Sequence, residues 1–69
     1  GNYVIRREYD DAGRLTALLE GEESQLVRRA HYAYDEWGQL VRVIRPDGIT
    51  LHYDYDPAGK LAGFSASDR

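Results

Sequence analysis

YDDAGRL, Tyr9 to Leu15, decides the fold, because the chain writes it three times. It returns as YDEWGQL at Tyr34 to Leu40 and as YDPAGKL at Tyr55 to Leu61. The fixed positions are Tyr9, Asp10, Gly13 and Leu15, then Tyr34, Asp35, Gly38 and Leu40, then Tyr55, Asp56, Gly59 and Leu61. Self-similarity of this kind marks a repeat architecture in which each copy is one supersecondary unit. An Asp carboxylate can accept hydrogen bonds from backbone N–H groups two or three residues on, and Gly takes the positive φ that closes a tight loop. The motif therefore reads as a hairpin corner, a type I turn ending in a left-handed Gly. Tyr9, Tyr34 and Tyr55 are expected to pack, and Leu15, Leu40 and Leu61 to be buried.

Outward from each corner the residues alternate as strands do, with successive side chains on opposite faces. Asn2–Tyr9 runs into the first corner and Arg14–Glu20 leaves it. Gly21–Ser24, GEES, is the next reversal. Ala17 to Glu20 would suit a short helix, but Gly21 and the flanking hairpins favour strand, turn, strand. Gln25–Tyr34 places Leu26, Arg28, Ala30, Tyr32 and Tyr34 on one face. Gln39–Arg45 is apolar on both sides, which predicts cover on both. Pro46, Asp47 and Gly48 form a turn in which Pro presets φ. Ile49–Tyr55 alternates most cleanly, Lys60–Ala66 returns, and Ser67–Arg69 reads as a frayed end. The expected fold is all-β: an antiparallel meander of three hairpins with about six strands. The repeat units span about 2–24, 25–48 and 49–69, and the array reads as an excerpt of a longer repeat protein.

Composition agrees with a small, thinly packed β unit. A chain of 69 residues buries only ~60% of the surface it exposes when unfolded, and with no Cys it has neither disulfides nor thiolate metal sites to help. Six Tyr, one Trp and one Phe favour strands. Nine basic against twelve acidic side chains give a net charge of −3, which argues against a nucleic-acid partner. Apolar clusters such as Leu40, Val41, Val43 and Ile44 are far too short to insert into a membrane as a helix. No basic, apolar and small-residue succession opens the sequence, so no secretory leader is visible in it.

The chemistry on offer is sparse, and no catalytic residue, metal or cofactor is expected. His31 and His52 hold the same place in two repeats and, with Asp54 and Glu8, suggest a metal set, but they lack the further His or Cys of a typical zinc site. A polar row set by strand parity explains them. Asp10, Asp35 and Asp56 are accounted for by their turns, and nothing matches the twelve-residue alternation of a calcium loop. Ser24, Ser65 and Ser67 stand in no triad pattern. Exposed aromatic rings are the one binding alternative: Tyr32, Tyr53 and Trp37 could stack on a glycan or peptide beside Arg28 and Arg29.

HYAYDEWGQL with RPDG, and HYDYDPAGKL, closely resemble the YD repeats of the Rhs family, found also in teneurins and in the shells of insecticidal toxin complexes. IRREYDDAGRL matches at the corner but carries Arg7 where the other copies have Tyr32 and Tyr53. The resemblance implies a strip of β-hairpins that spirals into a hollow shell enclosing or displaying a toxin or effector segment. It also implies a non-enzymatic role, further repeats as partners, and an exported or cell-surface setting. Links of such proteins to carbohydrate support the glycan alternative. DPAG at Asp56–Gly59 is similar to the self-cleaving junction of some members, but Lys60 replaces the Leu there and the stretch falls in register as a turn. A strip this short has two open edges and one layer, so self-association through a sheet face or an edge is expected.

Overall fold

The computed structural model describes residues 2–68. Its elements are β1 (Tyr3–Tyr9), β2 (Leu15–Glu22), β3 (Gln25–Tyr34), β4 (Leu40–Ile44), β5 (Ile49–Tyr55) and β6 (Leu61–Asp68). They lie side by side in sequence order in one six-stranded sheet, and every neighbouring pair is antiparallel. The all-β meander is as expected, and GEES forms no helix: β2 and β3 continue to Glu22 and Gln25, leaving Glu23 and Ser24 as the turn.

The three corners are built identically. Asp10 N–H donates to the Arg14 carbonyl and Gly13 N–H to the Asp10 carbonyl, each at 2.9 Å. Asp35 with Gln39 and Gly38, and Asp56 with Lys60 and Gly59, repeat the pattern at 2.8–3.0 Å. The carboxylate locks the frame: Asp10 Oδ1 accepts from the Ala12 and Arg14 backbone N–H groups at 2.9 Å. These donors sit two and four residues on, one step further than the expected range. The PDG turn uses the same backbone frame with Arg45 at the motif-Asp place, as Gly48 N–H donates to the Arg45 carbonyl. The φ angles of Gly13, Gly38 and Gly59 are 82°, 82° and 83°, a region closed to most side chains.

A β-bulge accompanies each corner. Register shifts fall at Glu8/Tyr9, Ala33/Tyr34 and Asp54/Tyr55, so the motif Tyr pairs with the motif Leu and one residue between is skipped. Repeated bulges strengthen the right-handed twist at one end of the sheet. A further shift between Leu18 and Leu19 sets Ala30 opposite Leu18 but Arg28 opposite Leu19. Arg28 and Ala30 therefore lie on opposite faces, because residues directly across a pair share a face. The single-parity face expected for β3 is wrong for this reason.

The sheet is a slab of 48 × 29 × 12 Å, one layer thick. Among the described residues only Ala17 and Ala30 are buried. Leu15, Leu40, Tyr34 and Tyr55 are half-buried, not buried. Tyr9 and Leu61 are each 57% exposed, overturning the expectation that they pack, because each lies on an edge strand with no neighbour beyond it. The apolar β4 likewise gains no second layer. Ser67 and Asp68 pair with Thr50 and Ile49, so β6 outruns the end foreseen for it, while Arg69 lies outside the described residues.

Candidate functional site

Cross-strand pairing gathers the aromatics on one face. Tyr32, Val43, Leu51 and Ala66 form a continuous row across β3–β6. Tyr53 and Phe64 stack tilted beside it at 5.3 Å between ring centroids. At the corner end of this face an open groove of about 900 Å³ runs between the second and third corners, lined by Trp37, Tyr53, Tyr55, Pro57 and the acids Asp54 and Asp56. Trp37 is 76% exposed at its rim.

Of the five side chains singled out for binding, only Trp37 and Tyr53 line this groove. Tyr32 shares the face but sits half-buried in its row. Arg29 and Arg28 lie toward the other end of β3 and are divided between the faces, each already ion-paired. Arg29 Nε stands 3.0 Å from Glu20 and Arg28 Nη2 3.8 Å from Glu8. The Tyr3 hydroxyl also donates to Glu20, and that bond raises its pKa above the ordinary phenol value.

The motif residues do something the spacing did not reveal: they join one repeat to the next. The Tyr34 hydroxyl donates to the Leu15 carbonyl at 2.7 Å, and the Tyr55 hydroxyl to the Leu40 carbonyl at 2.6 Å. Tyr34 and Tyr55 thus each clasp the motif Leu of the repeat before. The residues after the first two corner glycines reach the other way. Arg14 Nη1 comes within 3.0 Å of where a Cβ on Gly38 would stand, and Gln39 Oε1 within 3.6 Å of the same point at Gly59. Arg14 also lies 5.2 Å from the Tyr34 ring centroid, a cation–π distance. Such contacts separate Tyr from Leu by a whole repeat, so no short-range pattern could have disclosed them.

The carboxylates serve the corners. Asp10 is held below its ordinary pKa, chiefly by the Arg14 backbone N–H and then by the Arg14 guanidinium. For Asp35, partial desolvation pushes upward but is outweighed by the Gln39 and Trp37 backbone N–H groups, the Gln39 amide and the nearby charge of Arg14. Asp56 accepts the same two backbone bonds from Ala58 and Lys60, so DPAG has the geometry of an ordinary corner. His31 pairs with Ala17 and Ile44, and His52 with Arg42 and Ser65. Among the described residues no three His, Cys, Asp or Glu side chains come together as a metal site.

Comparison with curated proteins gives no match. A family model does match: residues 28–63, just over half of the chain, fit the RHS repeat. That span holds the second corner, the PDG turn, the third corner and the Tyr55–Leu40 clasp. With fold, corner geometry and family model in agreement, the chain belongs to the RHS repeat family.

Proposed function

We propose that this array is a wall segment, part of a longer run of RHS repeats whose sheet encloses or displays a toxin or effector segment at the cell surface or after export. The observation that carries it is the Tyr-to-Leu clasp made at both junctions between the repeats. The motif Tyr hydroxyls of the second and third repeats hold hairpins together. RHS repeats are structural units, and in keeping with this the array has no catalytic role. Its partners would be further repeats or copies meeting a face or an edge, with the enclosed segment on one side. Limited proteolysis of the full-length protein tests enclosure. An enclosed segment is cut only after the corners are destabilised by Asp-to-Ala changes; cutting at the rate of the free segment refutes the wall.

The groove supports a second reading, a carbohydrate- or cell-surface-binding module. Trp37, Tyr53 and Pro57 offer flat apolar surface beside Asp35 and Asp56, the mixture of stacking and hydrogen bonding that sugars use. A glycan array probed with the wild type and with Trp37→Ala distinguishes the two. Retention lost with Trp37 supports binding, and absence of retention by the wild type removes it.

A further inference from the structure

The two junctions within the sheet leave their complementary halves at its two edges. Tyr9 holds on β1 the place from which Tyr34 and Tyr55 donate, and among the described residues β1 pairs on one side only. The Leu61 carbonyl holds on β6 the place of the acceptors Leu15 and Leu40. The corners carry a second such pair. Gly38 and Gly59 are each covered by the long side chain that follows the previous Gly, whereas a Cβ on Gly13 would meet nothing within 4 Å. Lys60, the equivalent of Arg14 and Gln39, covers no corner Gly among the described residues.

Register supplies an independent observation. Across the two junctions Ala17 faces His31 and Leu18 faces Ala30, while Arg42 faces His52 and Val43 faces Leu51. Counted from the motif Leu and the motif Tyr, these offsets coincide. Applied to the open edges, they set Gly63 against Arg6 and Phe64 against Ile5. Phe64 and Ile5 are 59% and 58% exposed, large apolar side chains left uncovered at the two positions the register would join.

We infer that a second copy of this chain adds its β1 antiparallel to β6 of the first, head to tail, in the Phe64–Ile5 register. The Tyr9 hydroxyl then donates to the Leu61 carbonyl and Lys60 lies over Gly13 of the second copy. Edge strands are ready templates for such pairing through their free N–H and C=O groups. A heterologous joint that does not close on itself keeps growing, so the product is an extending strip rather than a dimer. The inference rests on the strip-building role proposed above and names its partner; enclosure is read separately by proteolysis and could stand if this joint failed.

Sedimentation equilibrium of the 69-residue chain across concentrations tests it. The expected average mass rises past two copies as concentration increases. Ile5→Lys spoils only the β1 edge and Phe64→Lys only the β6 edge, so each alone should remain monomeric. Their equimolar mixture should form a single 1:1 heterodimer, one intact β6 edge meeting one intact β1 edge. Because Phe64 also stacks on Tyr53, Ala66→Lys blocks the same edge with that contact kept, and circular dichroism checks the fold of every variant. Tyr9→Phe should weaken association about 2- to 10-fold, the worth of one hydrogen bond. A wild type monomeric at every concentration, a mass that stops at two copies, or well-folded single-edge variants that still assemble would each overturn it.

Discussion

At Gly38 a conformational demand and a packing demand fall on one residue. Its φ of 82° disfavours any Cβ, and Arg14 Nη1 lies 3.0 Å from where that Cβ would be. At Gly13 the φ is the same but the space is empty. Gly38→Val should lower stability by ~1–3 kcal/mol from backbone strain, with the displaced Arg14 adding to the loss, and Gly13→Val should cost less. Thermal melts of the two variants give the order, and equal losses would show that the Arg14 contact contributes nothing. Asp10 and Asp35 set the acid limit at this same scale. A carboxyl held below its ordinary value stabilises the fold above that value and loses this contribution as pH falls through its folded pKa. Stability should therefore decline below about pH 3.8, the ordinary Asp value. The double variant Asp10→Asn, Asp35→Asn should show a flatter decline in denaturant titrations across that window.

At the scale of the element, the unit is the hairpin with its bulge. Six strands and the YD corners were legible because Asp and Gly at fixed offsets dictate a local turn and alternation dictates a local face. Bulges were not, since skipping Thr16, Val41 or Ala62 depends on where the facing strand arrives. The shift at Leu18/Leu19 shows the consequence: it moves Arg28 off the face it was expected to share with Ala30 and Tyr32, and so breaks up the expected binding patch. The clasps belong to this scale as well. Tyr55→Phe removes the bond to the Leu40 carbonyl and should destabilise the chain by ~0.5–1.5 kcal/mol. Tyr9→Phe should leave a dilute monomer unchanged, because the Tyr9 hydroxyl makes no such bond among the described residues. Urea titrations at micromolar concentration check the contrast, and equal effects would place the worth of Tyr55 in its ring rather than its hydroxyl.

At the scale of the whole molecule, a slab 12 Å thick with two buried alanines has little to hold it together beyond its ladders. The four ion pairs among the described residues are exposed or half-exposed, and such pairs contribute little. Anything that binds the folded form alone raises its apparent stability by mass action. The midpoint of thermal unfolding should accordingly rise with protein concentration for the wild type and stay constant for Ile5→Lys; scanning calorimetry at two concentrations reads the difference.

The motif at Tyr9–Leu15 and its two echoes determined the strands, the corners and the left-handed glycines, because each of these depends on residues within a few positions of one another. Tertiary structure alone decided what Tyr and Leu do for the next repeat, which aromatics share a groove, and which motif residues stay exposed. Those outcomes depend on the strand that lies alongside, and at the first and last strands no neighbour lies there to cover Tyr9 or Leu61.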